Sequence, residues 1–151
     1  MERIRTATEN DAVRLAEIEV FCYRLHFYPI FRTDRYFFSE LNVETVAAEY
    51  HADAQRVNNT AVYDDGIVKG FVRVNGGEIE KLFVEPAFHG QGIGAALLRY
   101  ATDTLGGSCL LVLEKNARAI RFYQRHGFVL TDRKQRVDDT KEYLVRMEKT
   151  E

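Results

Sequence analysis

At 151 residues the chain has the length of one domain, able to bury a core without disulfide or metal staples. Its 23 acidic and 21 basic residues nearly cancel, which excludes the strong charge bias of a nucleic-acid or membrane-surface protein. No apolar run approaches the roughly 20 residues that span a bilayer, and the opening MERIRTATENDAVRL, charged from its second residue, does not read as a signal peptide; a single cytoplasmic domain, residues 1–151, is the expectation.

In chain order, RIRTA reads as a short first strand. Thr8 followed by Asp11 has capping-box spacing, and Val13, Leu15, Ile18, Cys22 and Leu25 then recur at helical intervals, predicting a helix from about Glu9 to about Leu25. FYPIFRTDRYFFSEL is aromatic and irregular around Pro29. NVETVAAEYHADAQ, opened by Asn42 and Glu44, predicts a second helix. Three strands follow, TAVYDD, IVKGFVRV and EIEKLFVE, joined through Asp65-Gly66 and Asn75-Gly76-Gly77, both hairpin signals. A glycine loop leads into a helix from about Gly92 to Leu105. CLLVLE is a short buried strand. ARAIRFYQRHG is a helix closed by cations and Gly127, and FVLTDRKQRV with KEYLVRMEK makes a last hairpin around Asp138-Asp139-Thr140. The order β-α-α-β-β-β-α-β-α-β-β describes an α/β (α+β) domain with a mixed, mostly antiparallel sheet and helices on both faces. The strands flanking the glycine loop and its helix form a β-α-β unit and should be parallel.

Cys22 and Cys109 lie far apart in apolar neighbourhoods and read as buried free thiols. His26, His51, His89 and His126 show no metal-ligand spacing, so no metal is expected. The strongest chemical signal is HGQGIG, residues 89–94, directly before a helical apolar run. A helix N-terminus offers unpaired N–H groups and partial positive charge, which suits a phosphate or pyrophosphate; an ordinary tight βα turn is the alternative. The loop lacks the Gly-Lys-Ser/Thr ending of a nucleotide-triphosphate loop and follows an antiparallel hairpin, a poor setting for a dinucleotide fold.

A second stretch, LEKNARAIRFYQRHGF at residues 113–128, together with LFVEPAFHGQGIGAALL, resembles the GCN5-related N-acetyltransferase family, most strongly over residues 60–148. The family loop has the form Gln/Arg-x-x-Gly-x-Gly/Ala; here it reads His89-Gly90-Gln91-Gly92-Ile93-Gly94, with histidine a departure in the first position. The resemblance implies a single-domain GNAT-like fold, acetyl-CoA as cosubstrate, and pyrophosphate contacts along His89 to Ala95. It implies main-chain contacts from Leu82, Phe83 and Val84 to the pantetheine arm and thioester, on a strand that splays from its neighbour. Tyr123 would serve as general acid toward the leaving thiolate, and also reads as an apolar partner of Ile120 on one helix face. Asn116 reads both as N-cap and as a pantetheine contact. Glu78, and less well Glu80 two residues on and on the same face, is the expected carboxylate base.

The acceptor is expected to be a primary amine, of a small molecule as the first reading; a protein N-terminus or lysine, and a sensor that holds acetyl-CoA without turnover, are the alternatives. Eight aromatic residues between the first two helices, Phe21, Tyr23, Phe27, Tyr28, Phe31, Tyr36, Phe37 and Phe38, exceed what one helix face can hide. Several are expected to line an acceptor pocket or a homodimer contact, with Glu40, Glu44 and Glu49 close enough to attract a cation.

Overall fold

The computed structural model describes residues 3–150. Seven strands form one sheet in the order β1-β2-β3-β4-β5-β7-β6: β1 (Ile4–Thr6), β2 (Thr60–Asp64), β3 (Val68–Asn75), β4 (Glu78–Val84), β5 (Cys109–Leu113), β6 (Phe128–Arg136) and β7 (Tyr143–Lys149). All neighbours are antiparallel except β4 and β5. The mixed sheet and the parallel β-α-β unit therefore match the expectation. Gly76 and Gly77 make the β3–β4 turn with φ of 58° and 85°, the pair of positive values that a tight two-residue hairpin requires.

Helices cover both faces. On one side, α1 (Ala12–Cys22) and α3 (Val43–Ala52) bury Leu15, Ile18, Val46 and Tyr50 against Val62 and Phe71. On the other, α5 (Ile93–Asp103) packs Ile93, Leu97, Leu98 and Ala101 against Val72, Val74 and Ile79, with α6 (Ala117–Arg125) alongside through Ile120, Phe122 and Tyr123. Each apolar side chain of this size contributes roughly 1.5–3 kcal/mol when fully buried. Both cysteines are buried free thiols, as expected.

The first helix differs from its reading. A 3-10 turn at Glu9–Asp11 precedes α1, where the Thr8 N–H donates to Asp11 Oδ2 at 2.7 Å, and the helix continues past α1 through a π turn at Tyr23–Phe27 into α2 (Tyr28–Phe31). Pro29 does not interrupt it, because it falls in the first turn of α2, where no N–H is needed for the ladder. A second π turn covers Tyr36–Glu40. The wider turns bond across five residues instead of four, and aromatic side chains crowd this segment, so the 3.6-residue pattern fails there. The expected second helix divides: α3 is capped by Asn42, whose side chain accepts from the Thr45 N–H at 2.8 Å, and Asp53 stops it and caps α4 (Ala54–Asn58).

Candidate active site

The pairing of β4 with β5 lasts only two residues, Glu78 with Cys109 and Ile79 with Leu110. Beyond Ile79 the two strands part, and a cavity of about 570 Å³ opens between them, lined by both strands, the glycine loop, α6 and the end of α1. That is the size range of small-molecule sites. The edge of β4 inside the cleft is chemically open. Glu85 N–H donates to the Lys69 carbonyl across β3. Since antiparallel ladders alternate sides, Phe83 also faces β3, while Leu82 and Val84 turn their main-chain groups into the cleft. The Val84 carbonyl is met by the Cys22 thiol at 3.3 Å and by His89 Nε2 at 2.8 Å. Burial pushes the Cys22 thiol up to about 12, with Glu85 and Glu19 adding to it, so the group stays a thiol and acts as a donor.

A β-bulge decides which side chains meet at the base of the cleft. Val74 pairs with Ile79 and Arg73 with Lys81, leaving Glu80 as the extra residue. Ile79, Leu82 and Val84 consequently pack on the α5 face, although Ile79 and Leu82 are three apart. Glu80 bonds Arg73 at 3.1 Å, Lys81 bonds the Tyr23 hydroxyl, and Phe83 meets Tyr23 and Phe71, all on the α1 face. Regular pleating anticipates Glu78 and Glu80 on one side; the bulge adds Lys81 to them.

On that α1 face lies a second, polar cavity of about 410 Å³, lined by Glu19, Tyr23, Tyr36, Glu49, Arg56, Arg73, Glu78, Glu80 and Lys81 among others. Glu80 and Lys81 border both cavities, so the bulge is the partition between them. Four carboxylates reach the polar cavity, and two are engaged: Glu80 with Arg73, and buried Glu19 with the Tyr50 hydroxyl at 2.8 Å, which in turn accepts from Arg73 at 3.0 Å. Glu78 forms no ion pair among the described residues. Of the eight clustered aromatics, Tyr23 and Tyr36 line this cavity and Phe27 the cleft; Phe37 is buried, and Phe21 and Phe38 are exposed.

At the other end of the cleft, the loop carries Gly90 and Gly92 at φ of 81° and 78°. Gly92 is the N-cap of α5 in the left-handed conformation, with no side chain satisfying the first turn. The first intrahelical bond runs from the Ala96 N–H to the Gly92 carbonyl, which leaves the amides of Ile93, Gly94 and Ala95 free. A Cβ at Gly90 or Gly92 would meet nothing within 4 Å, so the loop is shaped by conformation and leaves its concave side open. Bare amides at a helix start, an open strand edge and a cleft of this volume together fit a long phosphate-bearing thioester such as acetyl-CoA. Both ring nitrogens of His89 are engaged within the protein. Its Nε2–H donates to the Val84 carbonyl and its Nδ1 accepts from Arg118 at 3.4 Å, with His26 stacked on it at 5.8 Å. Burial, then the neighbouring His89 and the Arg118 guanidinium, hold His26 below the usual imidazole value.

Asn116 caps α6, its side-chain carbonyl accepting from the Ala119 N–H at 3.3 Å; its amide N–H₂ remains available to the cleft that it lines. Tyr123 also lines the cleft, its ring edge-on to Phe122 and Phe128. Burial alone pushes its hydroxyl above the ordinary tyrosine value. Leu82, Phe83, Val84, His89, Gly90, Gly92, Ile93, Gly94, Ala95, Asn116 and Tyr123 all border one cavity. Gln91 is exposed beside it, and Glu78 stands in the polar cavity behind the bulge. Sequence reasoning named Tyr23 among the aromatics expected at an acceptor pocket and Cys22 as a buried thiol, but it missed Lys81, Arg73 and Arg118, because no local pattern marks them; long-range contacts and a bulge bring them to the site. Among the described residues no three His, Cys, Asp or Glu side chains converge to hold a metal ion, and no helix is long and apolar enough to cross a membrane.

Comparison with known proteins agrees with this geometry. The acetyltransferase (GNAT) domain family matches residues 56–130. The peptidyl-lysine N-acetyltransferase YjaB of Salmonella typhimurium is 38% identical over 79 residues, 52% of this chain and 54% of that protein. The chain spans little more than half the length of the curated relatives it matches. Among solved structures, apo YjaB of Escherichia coli superimposes with a TM-score of 0.75 at 21% identity, covering 96% of this chain and 95% of that one. The PaiA N-acetyltransferase of Thermoplasma acidophilum, in complex with coenzyme A, gives 0.67 at 19%, covering 98% and 99%. A cleft between parting parallel strands, a glycine loop capping the helix that follows, and a matching family domain lead to one conclusion: the chain belongs to the GNAT acetyltransferase family.

Proposed function

We propose that this protein is an acetyl-CoA-dependent N-acetyltransferase whose acceptor is a peptidyl lysine. The observation that carries the reading is the shared partition at Glu80 and Lys81, where a cleft suited to a thioester meets a polar cavity bearing four carboxylates. A lysine side chain is a cation on a slender stem, and Glu49 and Glu78, which form no ion pair among the described residues and share the cavity with Arg56, Arg73 and Lys81, draw its ammonium toward the bulge. The naming of the relative YjaB as a peptidyl-lysine N-acetyltransferase supports this acceptor over the small-molecule amine of the first sequence reading.

In this reading the amides of Ile93, Gly94 and Ala95 receive the pyrophosphate. The open main-chain groups of Leu82 and the Val84 N–H, whose own carbonyl is taken by Cys22 and His89, receive the pantetheine and thioester, and Asn116 adds its amide. The acceptor nitrogen must be neutral to attack. An ordinary lysine, with pKa near 10.4, costs roughly 4–5 kcal/mol to deprotonate at pH 7, and Glu78, a carboxylate without an ion pair, takes that proton through water. Nitrogen then bonds to the carbonyl carbon as the C–S bond breaks. The Tyr123 hydroxyl donates to the sulfur as negative charge develops there, its raised pKa ensuring that the proton is present.

The test is acetyl-CoA-dependent thiol release with lysine-containing peptides blocked at the N-terminus, beside free amino acids and polyamines. Turnover with the blocked peptides, lost when their lysine is replaced by arginine, is the expected result. Turnover confined to small amines would overturn the acceptor assignment.

A further inference from the structure

Lys81 occupies an unusual position for a lysine. It is the one lysine in the lining of either cavity and borders both. It forms no ion pair among the described residues. Its Nζ meets the Tyr23 hydroxyl and lies 4.9 Å from the Tyr23 ring centroid and 5.9 Å from that of Phe83. The phenol is itself neutral, because burial pushes it well up, so no anion touches the amine. The nearby charges compensate one another: Glu19 and Glu80 favour the ammonium, Arg73 and Arg56 oppose it. Burial is the largest influence and lowers the Lys81 pKa, raising the fraction of nucleophilic free amine. The bulge at Glu80 is what turns this side chain toward the acceptor side.

We propose that Lys81 is an acetylation site of the protein's own making: with acetyl-CoA in the cleft, its amine stands at the junction where an acceptor nitrogen must arrive and takes the acetyl group itself. The proposal rests on acetyl-CoA binding as assigned above. The Nζ lone pair attacks the thioester carbonyl carbon and the C–S bond breaks. Sulfur leaves as the thiol with the proton released from nitrogen, and the side chain becomes N-acetyl-lysine; no other reactant is consumed. The amide so formed fills the partition, removes the charge and closes the route between the cavities, so acetylated protein turns over acceptor more slowly.

The experiment incubates the full chain with acetyl-CoA and follows each lysine by peptide mass spectrometry, with the thermal midpoint measured in parallel to report binding. Expected is up to one acetyl group per chain at Lys81, gained at least about tenfold faster than at the exposed, ion-paired Lys115 and Lys134. The rate at Lys81 saturates with acetyl-CoA, and Lys81→Arg abolishes that label while keeping the thermal response. An unmodified Lys81 in protein that acetyl-CoA stabilises overturns this inference and leaves the functional reading standing. Equal, non-saturating labelling of all lysines likewise overturns it. No stabilisation and no labelling overturns both.

Discussion

Replacing Gly92 by alanine isolates what the glycine loop contributes. Gly92 sits at φ 78° as the cap of α5, a conformation that costs a residue with a Cβ roughly 1–2 kcal/mol. The added methyl meets nothing within 4 Å, so no clash adds to that figure. Alanine also lowers the entropy of the unfolded chain by about 0.4–1 kcal/mol, leaving a net loss near 1 kcal/mol. For a protein of this size that is about 2–4 °C in the thermal midpoint. If the loop relaxes its φ instead, the free amides of residues 93–95 lose their common aim, and the cost moves into acetyl-CoA affinity as about a fivefold weaker Kd. Gly94→Ala is the control two residues away. Its φ is not positive, and its Cβ would touch the Phe122 ring at an ordinary 3.6 Å, so it should hold or raise stability by about 0.5 kcal/mol. Urea unfolding and calorimetric titration with acetyl-CoA read both quantities. A Gly92→Ala protein matching wild type in stability and affinity together, or a Gly94→Ala protein more damaged than it, would refute the reasoning.

Tyr123→Phe removes a hydroxyl whose raised pKa comes from burial alone; stability should move by no more than about 0.5 kcal/mol, while the transfer rate falls on the order of a hundredfold. A rate equal to wild type sinks the acid role. Tyr50→Phe strands buried Glu19 and leaves Arg73, still paired with Glu80, without a partner for Nη1; the hydroxyl joins them at 2.8 and 3.0 Å, and its loss should cost about 1–3 kcal/mol in urea unfolding. Asp11 is held below its ordinary value of 3.8 first by its hydrogen bonds to Arg5 and then by the Thr8 N–H, against burial. A depressed carboxyl stabilises the fold above its unfolded pKa and loses that contribution as pH falls through the folded one. Asp11→Asn should therefore be about 1 kcal/mol less stable than wild type at pH 7, with the two curves converging below pH 3.8. Parallel curves across that range would remove Asp11 from the account.

Strand and helix order, both glycine-turn hairpins, the parallel β-α-β unit and the two family motifs were legible in the sequence, since each depends on residues near one another in the chain. Alternation marks a strand, Asn-Gly-Gly a turn, and a glycine run before an apolar helix an open N-terminus. The assignment of His89 to Ala95, Asn116 and Tyr123 to one coenzyme site came instead from the resemblance to the GCN5-related N-acetyltransferase family, and all of them except Gln91 border one cleft. The π turns at Tyr23–Phe27 and Tyr36–Glu40 escaped the reading because crowded aromatics erase the helical period. What only the tertiary structure decided lies in the register between strands. The family resemblance implied that this strand splays, but the end of β4–β5 pairing at Ile79, and the extra residue at Glu80 that turns Lys81 to the face of Glu78, are set by register. A bulge is a mismatch in count between partners, so neither strand's sequence alone contains it. The Glu80–Arg73–Tyr50–Glu19 chain spans 61 positions from end to end. It exists because buried polar groups must find partners wherever the fold brings them.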